Sequence, residues 1–317
     1  MEEHVKAFIE AAAAVGFPSG VRFGTSEGDE YLRSQRAMPR KRPPTPPAEV
    51  GRIDEFATPA GVPVRVYQPD APEALRPLIV YLHGGGWVMG DLEMHDPTCR
   101  TLANAAGAVV VNVAYRLAPE HPYPAACDDA LEATVWAVER ASTWRADPTL
   151  TFVAGTSAGA NLAAAVALRW RDEQRGPALA GQVLIYPVLD SRMDTPSYRE
   201  NGSGFFLTAD QMRFYWEAYV HDDVDRRHPF ASPSRAADLA DLAPAVVVTA
   251  EHDPLRDEGE DYARRLNEFG GLIELIRVPG QIHGFLTAFP GTPDAVGTLN
   301  RITTLIGEVA NRAGLPD

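Results

Sequence analysis

Cysteine, lysine and long apolar runs are what this chain has least of. Its 317 residues include two cysteines, Cys99 and Cys127. That is too few for a disulfide framework or a cysteine-built metal cluster, and it fits a reducing compartment. No stretch approaches the ~18–20 consecutive apolar residues that span a bilayer, and the run Ala11–Val15 is too short for a secretory core. The expectation is therefore a cytoplasmic protein with no stable membrane association. Positive charge is scarce as well: 29 Lys and Arg stand against 43 Asp and Glu, for a formal net charge of −14. Such an acid excess argues against a nucleic-acid partner and against docking on anionic lipid, both of which select basic surfaces. The basic residues are nearly all arginine, with Lys6 and Lys41 as the lysines.

What is present is apolar material in short pieces. Hydrophobic residues make up 45% of the chain and the mean hydropathy is −0.19, which suits a soluble protein with a large core, built as one big domain or one domain with an insertion. Residues 1 to about 21 carry apolar positions at helical spacing (Val5, Phe8, Ile9, Ala12, Ala13) and predict one amphipathic helix. Residues 33–47 are basic and contain Pro39, Pro43, Pro44, Pro46 and Pro47, which exclude regular structure and suggest a tether. Two alternating runs, Arg52–Thr58 and Val62–Gln68, predict a hairpin around Ala60-Gly61.

Beyond the hairpin the runs become continuous: Leu78–Leu82, Ala108–Val113, Leu150–Ala154, Gln182–Tyr186, Ala245–Ala250 and Ile273–Val278. Val- and Ile-rich runs of this kind suit strands covered on both faces. Helical patterns separate most of them, at Pro97–Ala106, Ala125–Ala141, Ser157–Arg175 and Glu258–Phe269. Alternation of strand and helix predicts a layered α/β fold, parallel apart from the opening hairpin. The interval between Tyr186 and Ala245 is too long for a simple crossover. Its aromatic middle, Ala209–Val220, reads as a helical insertion able to cover one end of the sheet. There is no internal repeat.

Chemistry concentrates where strands end. Gly155-Thr156-Ser157-Ala158-Gly159 follows an apolar run and opens an Ala-rich helix, as a nucleophile elbow requires. The turn lifts the Ser157 hydroxyl clear of the backbone, Gly155 and Gly159 let strand and helix approach, and the helix start favours developing negative charge. His83-Gly84-Gly85-Gly86-Trp87 also follows a strand. Consecutive glycines are costly in a regular element, and their use here points to backbone N–H groups turned toward an oxyanion, with the His83 side chain structural. A serine nucleophile needs a base and an orienting acid. Of the eight histidines, His283 lies in a loop just after the last strand, where a sheet protein presents side chains. Asp253 occupies the turn after Ala245–Ala250, and the order Ser157, Asp253, His283 is the one α/β-hydrolases use.

These stretches, with Tyr115–Glu120, Pro122–Pro124, Asp253–Glu258 and Ile282–Phe285, resemble the hormone-sensitive-lipase-like branch of the α/β-hydrolase fold, the bacterial family IV carboxylesterases. The likeness runs from about residue 52 to 290. It implies a mostly parallel eight-stranded central sheet flanked by helices, with a helical cap. Residues 1–50 would form an N-terminal cap segment and Pro-rich tether, and residues 51–317 the catalytic domain with a cap insertion at about 191–229. It implies Ser157 as nucleophile, His283 as base, Asp253 as its partner, and an oxyanion hole from the N–H groups of Gly84, Gly85 and Ala158, with His83, Gly86, Gly155 and Gly159 supporting. Trp87, Phe205, Phe206, Phe214 and Trp216 are candidates to line a pocket, with core packing the competing role for each. Thr156 stands where many members carry Asp and resembles the Gly-Thr-Ser-Ala-Gly subgroup. The implied activity is hydrolysis of short- to medium-chain acyl esters, without metal or organic cofactor. Its alternatives are a related hydrolase of lactones, amides or acetylated amines, and a non-catalytic ligand receptor of the same fold, which would lack the catalytic histidine. The resemblance also suggests a homodimer through the last strand and helix.

Overall fold

The apolar runs assemble edge to edge into one sheet. The computed structural model describes residues 1–15, 17–18, 20–37, 48–70 and 75–312. The strands are β1 (Arg52–Ala57), β2 (Pro63–Gln68), β3 (Arg76–Leu82), β4 (Val109–Val113), β5 (Ala146–Thr156), β6 (Gly181–Ile185), β7 (Ala245–His252) and β8 (Leu272–Ile282). Their order across the sheet is β1-β2-β4-β3-β5-β6-β7-β8. β2 runs antiparallel to β1 and β4, and the remaining pairs are parallel. The α/β-hydrolase architecture expected from the sequence is therefore present.

Continuous apolar runs follow from burial on two sides. In β3, Leu78, Val80 and Leu82 enter one core and Ile79 and Tyr81 the other. The helices are α1 (Glu3–Val15), α2 (Ser26–Ala37), α3 (Asp96–Ala106), α4 (Ala125–Arg140), α5 (Ala158–Asp172), α6 (Pro196–Asn201), α7 (Ala209–Tyr219), α8 (Asp223–Arg226), α9 (Arg256–Glu268), α10 (Phe285–Ala288) and α11 (Pro293–Arg312). α4, α5 and α9 fill the first core, and α3 and α11 the second. β3 and β5 are neighbours, but the chain leaves β3 for β4 on one side and later returns to β5 on the other. That reversal is a topological switch point, where ligands bind in open α/β sheets. The Gly-rich loop follows β3 and Ser157 follows β5, so both lie at this crevice.

Two expectations near the N-terminus change. The first helix stops at Val15 instead of reaching residue 21. A second helix, α2, takes in residues 33–37, which the proline-rich reading had assigned to the tether. The five prolines of that tether lie outside the described residues. α2 forms because Thr25 Oγ accepts the Gly28 N–H at 3.1 Å and Tyr31 and Leu32 bury one face. It packs on α7: Tyr31 meets Phe214 edge-on at 5.5 Å, and Gln211 donates to the Tyr31 hydroxyl at 3.3 Å. Its last turn reaches the loop after β3, where Arg36 Nε donates to the Val88 carbonyl at 2.8 Å. α11 is absent from the helical stretches read in the sequence.

Candidate active site

The turn between β5 and α5 is as tight as its glycines suggest. Ser157 holds φ 53° and ψ −119°, a left-handed strained conformation for a residue with a side chain. Its N–H donates to the Ile185 carbonyl at 2.9 Å, which ties the strained residue to the end of β6. A Cβ on Gly159 would sit 2.0 Å from the Leu82 carbonyl oxygen, and one on Gly155 would sit 2.4 Å from Gly159. Strand, helix and the end of β3 thus meet at a spacing that only glycine permits.

The candidate base and acid arrive from the far side of the crevice. β7 and β8 end in register at His252 and Ile282, so Asp253 and His283 each sit one residue beyond a paired strand end. His283 Nδ1 lies 2.7 Å from Asp253 Oδ2 and its Nε2 lies 2.9 Å from Ser157 Oγ. With Nδ1–H donating to the carboxylate, the Nε2 lone pair accepts the Ser157 hydroxyl. The second Asp253 oxygen accepts the Leu255 N–H at 2.8 Å, which fixes the carboxylate plane. Asp253 is fully buried, His283 nearly so, and Ser157 half-buried. The Tyr186 ring meets the imidazole edge-on at 4.8 Å. Asn201 of α6 donates to the Glu251 and Asp253 carbonyls, each at 3.3 Å, and so braces the acid-bearing turn.

The Gly-rich loop needs one correction. The Gly84 N–H, expected as an oxyanion donor, instead donates to His95 Nε2 at 3.3 Å. The carbonyls around it are held in sequence. The Tyr115 hydroxyl donates to the His83 carbonyl at 2.7 Å, and His83 Nδ1–H donates to the Gly84 carbonyl at 2.9 Å. The Gly85 carbonyl accepts the Val88 and Met89 N–H groups at 3.1 and 3.0 Å. In a planar trans peptide the N–H points away from its C=O, so the held Gly84 and Gly85 carbonyls turn the Gly85 and Gly86 N–H groups outward. Among the described residues neither of these N–H groups meets an acceptor. Gly86, at φ 59°, has the Tyr215 ring where a Cβ would lie, 2.6 Å away. The His83 ring is buried: it stacks on Tyr115 at 4.1 Å, and burial lowers its pKa from 6.5 to about 4.

The candidate pocket residues divide. Trp87, Phe214 and Trp216 are core residues, almost wholly buried. Trp87 stacks on Tyr219 at 4.2 Å and abuts Trp216 at 4.8 Å, so these rings have no face to offer a ligand. Phe206 is 41% exposed, holds φ 75° and lies 3.7 Å from the position of a Cβ on Gly284, next to His283. Phe205 stacks on His252 at 4.9 Å, next to Asp253. Sequence reasoning missed His95, Tyr115, Tyr186, Asn201 and Tyr215 as neighbours of the site. A histidine at a helix start or a tyrosine at a strand end carries no local signal for such a role.

A family model for the α/β-hydrolase fold matches residues 79–287. The carboxylic ester hydrolase LipN of Mycobacterium tuberculosis is 44% identical over 254 residues, which cover 78% of this chain and 67% of that one. The carboxylesterase NlhH of the same organism is 40% identical over 287 residues, with 87% and 89% covered. The solved esterase of Pyrobaculum calidifontis superposes with a TM-score of 0.82 at 37% identity, covering 98% and 99% of the two chains. Among the described residues no helix is long and apolar enough to cross a membrane. With the switch-point crevice and the Ser157–His283–Asp253 line already in place, these similarities assign the chain to the α/β-hydrolase family, in its hormone-sensitive-lipase-like branch.

Proposed function

We propose that the chain is a serine carboxylesterase in which Ser157 is the nucleophile, His283 the general base and Asp253 the acid that orients the imidazole. The observation that carries the reading is the continuous line from Ser157 Oγ to His283 Nε2 (2.9 Å) and from Nδ1 to Asp253 Oδ2 (2.7 Å). His283 takes the Ser157 proton as the hydroxyl oxygen attacks the ester carbonyl, and Asp253 stabilises the imidazolium that forms. The oxyanion accepts from Gly85, Gly86 and Ala158 N–H groups, a kind of contact worth roughly 2.7–4 kcal/mol per donor. His283 returns the proton to the leaving alcohol. Water, deprotonated by the same imidazole, then releases the acid from Ser157.

The short- to medium-chain preference, the Gly-Thr-Ser-Ala-Gly subgroup and the cap belong to the same reading. Residues 1–50, of which 16, 19 and 38–47 lie outside the described residues, supply a cap segment and tether, about 191–229 supply the cap insertion, and residues 51–317 carry the chemistry. The cap is supported by Phe8 of α1, which meets Phe206 at 5.0 Å and Phe289 at 5.2 Å, and by the seat of α2 on α7. A cytoplasmic location and a homodimer through β8 and α11 complete the reading, the second read by sedimentation. Purified protein should hydrolyse p-nitrophenyl acetate and butyrate faster than long-chain esters. Ser157→Ala should retain the fold and lose nearly all of that rate. A wild type inert toward every short ester, or a Ser157→Ala variant at full rate, overturns the assignment.

A further inference from the structure

The loop after β3 poses a mechanical problem. Glycine peptides rotate easily, yet an oxyanion hole works only if its donors are fixed before the charge appears. Two of the three carbonyls in the loop are held from within it, by His83 Nδ1 and by the Val88 and Met89 N–H groups. The peptide between His83 and Gly84 is the exception, because both of its polar ends are held from outside. The Tyr115 hydroxyl holds its carbonyl at 2.7 Å and His95 Nε2 accepts its N–H at 3.3 Å.

We propose that His95 is a positioning residue for ester hydrolysis: by accepting the Gly84 N–H it fixes the first peptide of the loop and thereby aims the Gly85 and Gly86 N–H groups at the oxyanion. The inference rests on the esterase reading above. To accept at Nε2, His95 must carry its proton on Nδ1, and Nδ1–H donates to the Tyr81 hydroxyl at 3.0 Å. The Gly84 N–H, a pure donor, selects this tautomer, and the Tyr81 hydroxyl of β3 supports it by accepting the Nδ1 proton. His95 is 2% exposed, and burial, with His83 close by, lowers its pKa from 6.5 to about 3, so the acceptor lone pair persists across the working range. Without it, the Gly84 N–H is a buried donor seeking another partner. Thr156 Oγ is buried with no partner of its own and lies 3.0 Å from where a Gly84 Cβ would sit. It is an acceptor close to Gly84, and a Gly84 N–H turned toward it would change the orientation of the loop.

The test compares wild type, His95→Phe, His95→Gln and Tyr81→Phe in steady-state hydrolysis of p-nitrophenyl acetate, with thermal midpoints and the Ki of a trifluoromethyl ketone measured alongside. The ketone forms a tetrahedral oxyanion on the serine and so reads the donors directly. His95→Phe should lower kcat about 10- to 100-fold with KM within about twofold, and weaken ketone binding by a similar factor. His95→Gln places an amide oxygen near the Nε2 position and should recover most of both losses. A Phe variant with wild-type kcat and ketone affinity overturns the proposal, as does a folded Gln variant no better than a folded Phe variant. If His95→Phe does not fold, Tyr81→Phe decides: it removes the acceptor that anchors His95 Nδ1–H while keeping the His95 ring, and should cost about 3- to 10-fold in kcat at little change in KM. An unchanged kcat there overturns the proposal. A wild type without esterase turnover sinks the esterase reading and this inference together, whereas an active wild type with insensitive variants sinks only the role of His95.

Discussion

At the level of single residues, the triad is legible because each member stands at a strand-to-turn corner. Ser157, Asp253 and His283 follow β5, β7 and β8 directly, so each stands shortly after an apolar run, where the strand gives way to a turn. In the proposed mechanism Asp253 has a specific task. Its Oδ2 must accept from His283 Nδ1–H, and its Oδ1 already accepts from Leu255. An amide in its place offers N–H toward the ring, which leaves Nδ1 as acceptor and puts the imidazole proton on Nε2. Asp253→Asn should therefore lower kcat by roughly 10³–10⁴-fold at nearly unchanged KM, a loss that steady-state kinetics reads directly. The oxyanion loop was legible as a kind and not as a set of donors. Three glycines announce free N–H groups, but the first peptide is held by His95 and Tyr115, 11 and 32 residues away from the atoms they bond. Gly84 was misread for that reason.

At the level of elements, the central strands β3–β7 emerged because burial on both faces removes polar alternation, and α4, α5 and α9 because their apolar spacing is helical. α2 did not, since it buries only Gly28, Tyr31 and Leu32 along its length. Its stability comes from contacts with α7 and the loop after β3, which no local pattern records. α9 shows a different kind of tertiary bond. Glu258 is buried, and its Oε1 accepts the Leu189 N–H at 2.6 Å while Oε2 has no partner. Burial raises its pKa well above the ordinary carboxyl value, and the Asp190 carboxylate adds to the rise. A raised pKa means that the folded protein keeps a proton the unfolded chain has released. Its stability contribution is full below about 4.5 and is lost as pH rises toward the folded pKa. Glu258→Gln keeps the acceptor for Leu189 and removes the titration, so its thermal midpoint should match or exceed the wild type and their difference should grow with pH. Glu258→Ala leaves the Leu189 N–H unpaired and should destabilise by about 1–3 kcal/mol. A Gln variant as unstable as the Ala variant would mean that the ionised form is the one the fold holds.

Across the whole molecule, the layering that makes the site also sets its acid limit. The switch point brings the ends of β3 and β5 together, and the loops that cover them bury His83 and His95 almost completely. Both imidazoles are neutral there, with pKa values lowered by burial from 6.5 to about 4 and about 3. In the unfolded chain both take up protons below about 6.5, while in the folded protein they do not until pH reaches those lower values. The unfolded state binds more protons throughout that window, so stability falls as pH falls. The contribution is complete above about 6.5 and is lost progressively down to about 4 for His83 and about 3 for His95, on the order of a few kcal/mol for each. Carboxylates titrate in the lower part of the same window, so the wild-type curve alone does not isolate the histidines. Comparison with His95→Gln does, because glutamine fills the position and cannot protonate. Thermal midpoints measured from pH 8 to pH 4 should fall less steeply for His95→Gln than for wild type between about 6.5 and 4.5, with the two curves parallel above 7. Parallel curves over the whole range would mean that His95 accepts a proton in the folded protein as readily as in the unfolded chain, and the buried neutral imidazole that holds Gly84 would have to be abandoned.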